Sequence, residues 1–163
     1  MKQRIISVDI FRGLTIALMI LVNTPGTWEA VYPPLRHAQW HGYTPTDLVF
    51  PFFLFIVGTS IVFAYQNKQP GAAVYRKIGV RTLKLLGLGL FLGAFTLSFP
   101  FIEPFGEIRF PGVLQRIGVV FFAASLLFLH FNWRALLGIA VVVLLGYWIW
   151  MGFIPLDGQA PTY

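Results

Sequence analysis

Residues 36–58 carry the side chains best suited to chemistry. Two histidines, His37 and His41, and the carboxylate of Asp47 precede an apolar run that begins at Leu48. Histidine is the side chain whose unperturbed pKa lies nearest neutral pH. Beside a carboxylate at a boundary between water and lipid, it is a candidate for proton or group transfer across that boundary.

The residues that lead into this apolar run predict the start of a helix. Thr44 is expected at the N-cap, Pro45 at the first helical position and Asp47 at the third, where its carboxylate can reach back as in a capping box. Capping alone would explain Asp47, yet the same carboxylate can also orient a histidine. Both roles stay open, and Trp40 and Tyr43 could shield a histidine of this loop from water.

His37 and His41 are four residues apart, so on a helix they would share a face. A zinc site needs further ligands. The chain has no cysteine, and Glu29 and Asp47 are the nearby carboxylates. We therefore expect no metal, and we expect His41 to line a binding site instead.

Other polar residues interrupt apolar segments, where charge is costly and needs a partner or a task. Asp9 and Arg12 are three residues apart, on one helical face. They form either a local ion pair or an anchor for an anionic ligand. Gln115 and Arg116 begin another apolar segment, at the same depth as Asp47, which permits an Asp47–Arg116 ion pair.

The composition identifies the elements that position these side chains. The chain is 57% hydrophobic and only 11% charged, whereas a soluble domain is about 25% charged. It is therefore an integral membrane protein, and residues 1–163 form one helical membrane domain. The formal charge of +6 is not a nucleic-acid signal, because the basic residues cluster by side of the membrane. The oligomeric state stays open.

A membrane-spanning helix needs about 20 mostly apolar residues. The sequence predicts an all-α bundle of five such helices, near 5–23, 46–65, 79–98, 113–131 and 135–153. The first apolar core is as short as that of a signal peptide, but Asp9 and Arg12 interrupt it and no small-residue cleavage site follows. Gly89 and Gly93 in the third helix have a small-xxx-small spacing that favours close packing.

Basic residues set the expected orientation, because cytoplasmic loops are enriched in them. One side of the bundle would hold Lys2, Arg4, Arg12, Lys68, Arg76, Lys77, Arg81, Lys84 and Arg134. The N-terminus is then cytoplasmic, and the loops 24–45 and 99–112 face outside with the tail 154–163. Arg81 and Lys84 can be explained by snorkelling to the interface. The short connections favour a bacterial inner membrane, and the uncapped tail favours the first part of a longer protein.

Four segments occur in an order and spacing that resemble one known family across residues 5–131. They are 7–14, 37–42, 46–58 and 112–118. The chain resembles the heparan-α-glucosaminide N-acetyltransferases, which implies a multi-helix membrane acyltransferase. Such an enzyme would carry an acetyl group from cytoplasmic acetyl-CoA to an amino sugar on the far side. The resemblance also implies that His37 is catalytic, and that a complete enzyme has about twice as many helices.

The first helix is also similar to that of a wider group of membrane acyltransferases, which have a histidine eleven residues after the arginine. Here that position is Asn23. The difference suggests that His37 has taken the histidine role and that Asn23 is a hydrogen-bonding partner.

The expected mechanism has two forms. His37 either accepts the acyl group as an acyl-imidazole or deprotonates the acceptor, while Asp47 holds its tautomer. The expected phosphate ligands are Arg12, Arg81 and Lys84, and the expected oxyanion partners are Asn23, Gln115 and Arg116. An amino-sugar acceptor is implied by the resemblance alone, and a glycan hydroxyl or cell-wall fragment fits equally. A multi-pass sugar transporter and an inactive acyltransferase fragment are the alternatives.

Overall fold

A computed structural model describes residues 5–27, 29–39, 42–95 and 112–153. The regular elements in these ranges are α1 (Ile6–Asn23), a 3-10 turn (Pro33–Leu35), α2 (Pro45–Tyr65), α3 (Ala72–Ala94), α4 (Val113–His130) and α5 (Trp133–Phe153). Of the described helices, α1, α2, α4 and α5 are long and apolar enough to cross a membrane. The all-α membrane bundle predicted from the sequence is confirmed.

The third helix differs from its predicted range of 79–98. It begins at Ala72 and ends at Ala94, while residues 96–98 lie outside the described part of the chain. The prediction followed the apolar run, but a helix can continue through polar residues once it leaves the lipid. Four basic residues lie within nine consecutive positions of α3, Arg76, Lys77, Arg81 and Lys84. These charges separate α3 from the four helices apolar enough to span a membrane.

Helix α2 begins as its sequence predicts. Thr44 is the N-cap with extended backbone dihedral angles, Pro45 follows at the first helical position, and Asp47 and Thr44 form a capping box. The peptide N–H of Thr44 donates to Oδ2 of Asp47 at 2.9 Å, which pairs a donor at the helix entry. The helix start is thus encoded by the local sequence.

Aromatic contacts and a small core hold the helices together. Phe11 of α1 packs edge-on against Phe52 of α2, with ring centroids 5.2 Å apart. Ile61 of α2, Ile78 of α3 and Phe121 of α4 form the buried cluster. Helix α5 packs least, with Gly152 as its buried residue.

These contacts define two ends of the bundle. The second half of α2 packs on the second half of α4 and on the start of α3, so α2 and α4 run parallel and α3 antiparallel. We call the end that holds Pro45 and Val113 the loop end. The opposite end, which holds Tyr65, Ala72 and His130, is called the basic end.

Candidate functional site

The site at the loop end is centred on the carboxylate of Asp47. Its Oδ1 atom lies 2.6 Å from Nδ1 of His37. Its Oδ2 atom accepts the backbone N–H of Ala38 at 3.1 Å and that of Thr44 at 2.9 Å. One carboxylate therefore caps α2, accepts hydrogen bonds from the loop backbone and contacts the imidazole.

The loop that carries His37 is tied to the start of α2. The Thr44 hydroxyl lies 2.7 Å from the Arg36 carbonyl oxygen and 3.0 Å from Oδ2 of Asp47, so it can donate to either acceptor. Nε of Arg36 donates to the Val31 carbonyl oxygen at 2.8 Å. These bonds hold the backbone on the N-terminal side of His37 in a fixed path.

Gly42 lies between the histidine and the helix start, and its φ of 98° is in the region that favours glycine. A side chain there would strain the backbone. Gly42 thus permits the loop to turn back towards Thr44.

The two partners differ in their access to solvent. The side chain of His37 is 73% exposed, whereas that of Asp47 is 28% exposed. A carboxylate at Nδ1 favours the tautomer with its proton on that nitrogen, which leaves the lone pair on Nε2. The arrangement is suited to a base or nucleophile that presents Nε2 to a reactant.

The predicted pair in α1 forms closer to the basic end. A guanidinium nitrogen of Arg12 lies 3.7 Å from Oδ1 of Asp9, and the other donates to the Ser60 hydroxyl of α2 at 3.1 Å. Ser60 follows Asp47 by thirteen positions along α2, or roughly 20 Å at 1.5 Å per residue. Asp9 and Arg12 are therefore not brought together with His37.

Asn23 is not joined to the loop-end site by a hydrogen bond within the described ranges. Its Nδ2 donates to the Met19 carbonyl oxygen of its own helix at 2.8 Å. The exposed side chain of Asn23 thus has one donor engaged in α1. Trp40 and His41, the remaining predicted binding residues, lie outside the described residues.

Gln115 and Arg116 lie on one side of an apolar cleft of about 620 Å³ at the loop end. The other lining residues are Phe50, Leu54, Leu86, Leu90, Val119 and Val120. Gln115 is buried and Arg116 is exposed. The structure thus places both residues on a cavity between α2, α3 and α4.

Equal depth in the membrane permitted an Asp47–Arg116 ion pair, and this prediction was wrong. The ion pairs of the described residues do not include it. Both oxygens of Asp47 are engaged by His37, Ala38 and Thr44. Equal depth in two helices does not make their side chains face each other. The nearby loop supplies the partners instead.

A basic groove of about 630 Å³ lies along α3 at the other end. Its lining residues are Ala73, Arg76, Lys77, Val80, Arg81 and Lys84. The Arg81 guanidinium lies 4.7 Å from the ring centroid of Phe121, a cation–π contact. Arg81 and Lys84 therefore share a groove, and Arg12 is not among its lining residues.

Sequence reasoning missed three partners in these sites: the Ala38 N–H, the Thr44 hydroxyl contact with Arg36, and Ser60. For Ser60 a signal existed, because it is a polar residue inside the apolar run of α2. The described residues hold no group of three or more His, Asp or Glu side chains placed to bind a metal.

Comparison with known proteins places these features in a family. The family described as "Heparan-alpha-glucosaminide N-acetyltransferase, catalytic" matches residues 4–157. Heparan-alpha-glucosaminide N-acetyltransferase of Homo sapiens is 38% identical over 143 residues, which cover 80% of this chain and 20% of that protein. The Mus musculus protein of the same name is 36% identical over 144 residues, covering 81% and 20%.

The chain thus spans about one fifth of the length of these curated relatives. Within that span, the family match includes both ends of the bundle, with the His37–Asp47 pair and the basic groove of α3. The chain belongs to the heparan-α-glucosaminide N-acetyltransferase catalytic family.

Proposed function

We propose that this chain supplies the histidine and donor-binding part of a membrane acetyltransferase. The enzyme would transfer an acetyl group from acetyl-CoA on the cytoplasmic side to an amino sugar on the outer side of a cell membrane. The observation that carries the proposal is the 2.6 Å contact between His37 Nδ1 and Asp47 Oδ1. The relatives named as N-acetyltransferases support the reaction class.

His37 would act through Nε2 in one of two ways. In a relay, Nε2 attacks the thioester carbonyl, the C–S bond breaks and the thiolate of CoA leaves. The amine then attacks the acetyl-imidazole, the bond between the acetyl carbon and Nε2 breaks, and the amine proton passes to the released Nε2. In direct transfer, Nε2 takes the amine proton as the amine nitrogen attacks the thioester carbonyl; the C–S bond then breaks, and Nε2 returns the proton to the departing CoA sulfur. In both forms the Asp47 carboxylate stabilises the positively charged ring, which explains why it faces Nδ1.

The two ends of the bundle would bind different parts of the acyl donor. The phosphates of CoA would lie against Arg81 and Lys84 in the basic groove, with Arg12 as a further cation. The acyl arm would extend towards His37. Asn23, Gln115, Arg116, Trp40 and His41 would complete the binding of donor and acceptor. The length of the relatives supports a longer enzyme in which further helices close the site.

The experiment is acetyl transfer by membranes that contain the whole protein. Radiolabelled acetyl-CoA is supplied outside inverted vesicles, and a panel of amino sugars is enclosed within them. We expect labelled N-acetyl sugar in the lumen from wild-type protein. Vesicles of the opposite orientation, with the same solutions, control for sidedness. Sugar uptake without acetyl-CoA, in place of acetylation, would identify a transporter and reject the proposal.

A rapid acid quench separates the two mechanisms. Relay predicts label bound to the protein in the absence of acceptor, and release of that label by hydroxylamine, which cleaves acetyl-imidazole. Direct transfer predicts no bound label at any time, although acetylated sugar accumulates.

A further inference from the structure

Gln115 is a buried carboxamide that lacks a hydrogen-bond partner. The residue is only 8% exposed, and within the described protein neither Oε1 nor Nε2 has a partner. Buried polar groups are nearly always paired because an unpaired one is costly. An unpaired donor and acceptor on the same side chain therefore point to a ligand that supplies both complements.

Two glycines fix the position of this carboxamide. A Cβ atom at Gly89 of α3 would lie 2.7 Å from both Cδ and Oε1 of Gln115, and one at Gly112 would overlap Oε1. Since real Cβ atoms do not approach so closely, Gln115 occupies space that exists because both positions are glycine. The carboxamide is thus held in place by packing, although no hydrogen bond orients it.

The cleft beside Gln115 has the dimensions of a ligand site. Its volume of about 620 Å³ falls within the usual range for small-molecule pockets. Phe50, one of its lining residues, follows Asp47 by three positions, roughly 4.5 Å along α2. Except for Gln115 and Arg116, the lining side chains are apolar. The cleft therefore fits a slender, mostly apolar group that carries an amide and ends near His37.

We propose that Gln115 binds the two secondary amides in the arm of the acyl donor, an inference that rests on the proposed function. The arm of CoA is a chain of methylene groups with two secondary amides and the reactive sulfur at its end. Each secondary amide offers an N–H and a C=O that point in opposite directions, so the N–H of one amide and the C=O of the other complement Oε1 and Nε2 of Gln115. A lipid tail offers neither group, and the backbone of another helix has both already paired.

The test measures how much the arm adds to binding. The dissociation constants of CoA and of 3′,5′-ADP, which has two of the three phosphates of CoA and lacks the arm, are measured on the whole solubilised protein. Gln115→Met keeps the length of the side chain and removes both hydrogen-bonding groups. We expect the affinity ratio of CoA to 3′,5′-ADP to fall by roughly tenfold, the effect of losing two hydrogen bonds, while 3′,5′-ADP binding is unchanged.

Thermal unfolding without ligand provides a second readout. Gln115→Met removes an unpaired buried polar group, so its Tm should rise while arm binding weakens. A packing role alone predicts a lower Tm and an unchanged affinity ratio. Gln66→Leu is the matched control, because Gln66 is exposed at the end of α2, and it should change neither quantity.

A ligand series on wild-type protein covers the case in which the variant does not fold. CoA analogues in which an ester oxygen replaces one amide N–H should bind wild-type protein more weakly than CoA does. The loss of affinity should be about as large as the loss that Gln115→Met causes for CoA. Equal affinity of CoA and its ester analogues, or an unchanged ratio in Gln115→Met, would overturn the assignment; a further helix or lipid would then fill the cleft. If the pattern appears but wild-type protein transfers no acetyl group, the proposed function fails and the amide site stands.

Discussion

The bundle places a histidine at each end, and the two histidines face different partners. At the loop end, His37 Nδ1 lies 2.6 Å from a carboxylate oxygen of Asp47. At the basic end, His130 Nε2 lies 3.2 Å from the Tyr75 hydroxyl, and the two rings stack with centroids 6.0 Å apart. A carboxylate stabilises the charged imidazolium and orients the ring, whereas a neutral phenol only shares a hydrogen bond.

The partners of the two histidines also differ in how firmly the protein holds them. Asp47 is bound by the backbone N–H groups of Ala38 and Thr44, so its position is set independently of the histidine. Tyr75 and His130 are both exposed. A charged partner in a fixed position prepares a histidine for chemistry. Of these two histidines, His37 has such a partner and His130 does not.

Replacing each histidine should give the largest contrast. His37→Ala in the whole protein should lower acetyl transfer by about 10³-fold or more, because it removes the base or nucleophile. His130→Ala should stay close to wild type. The measurement is the initial rate of acetyl-sugar formation at equal protein in the membrane. Residual activity of His37→Ala within tenfold of wild type would exclude His37 from the chemistry.

Asp47→Asn should have the next largest effect. The amide cannot balance the charge of the imidazolium, and its NH₂ group can face Nδ1 and favour the wrong tautomer. We expect kcat to fall by about 10²-fold, with the KM for acetyl-CoA little changed. Glu29→Gln, in the loop end, is the matched loss of a carboxylate and should leave kcat near its wild-type value. Equal losses in the two variants would show a general effect of charge.

The local part of the loop-end site was predictable from sequence. Thr44, Pro45 and Asp47 match a capping pattern that operates over three residues, and α2 begins there as predicted. His37 is ten positions before Asp47, so once the cap is assigned the histidine lies within reach of its carboxylate. Short sequence separation is the reason that this contact could be expected.

Contacts between distant parts of the chain were not predictable in the same way. The Asp47–Arg116 pair was proposed from depth alone, and depth does not determine which way two helices face. The Tyr75–His130 contact joins residues 55 positions apart and depends on how α3 packs against α4. The burial of Gln115 depends on its fit against Gly89, which a helical pattern does not reveal.

The basic groove should affect donor binding more than the chemical step. Replacing Arg81 and Lys84 together by glutamine removes two cations that line the groove. We expect the KM for acetyl-CoA to rise by about tenfold, with kcat nearly unchanged, since these charges would bind phosphates equally in the ground and transition states. Arg134→Gln removes a cation outside this groove and should leave KM unaltered. A fall in kcat at constant KM would contradict the role in binding.

The smallest effect should come from Thr44→Val, which tests whether the cap positions the histidine or only begins the helix. Valine keeps the shape and the backbone N–H to Asp47 but removes the hydroxyl that contacts the Arg36 carbonyl. Loss of an N-cap side chain costs about 1 kcal/mol of stability, and the same loss in the transition state would lower kcat by roughly fivefold. Thr59→Val, in the same helix, removes a hydroxyl bound to the Ile56 carbonyl oxygen. If both variants lower Tm equally but only Thr44→Val lowers kcat, the contact between Thr44 and the Arg36 carbonyl positions His37. If Tm and kcat change equally in the two variants, the cap only stabilises α2.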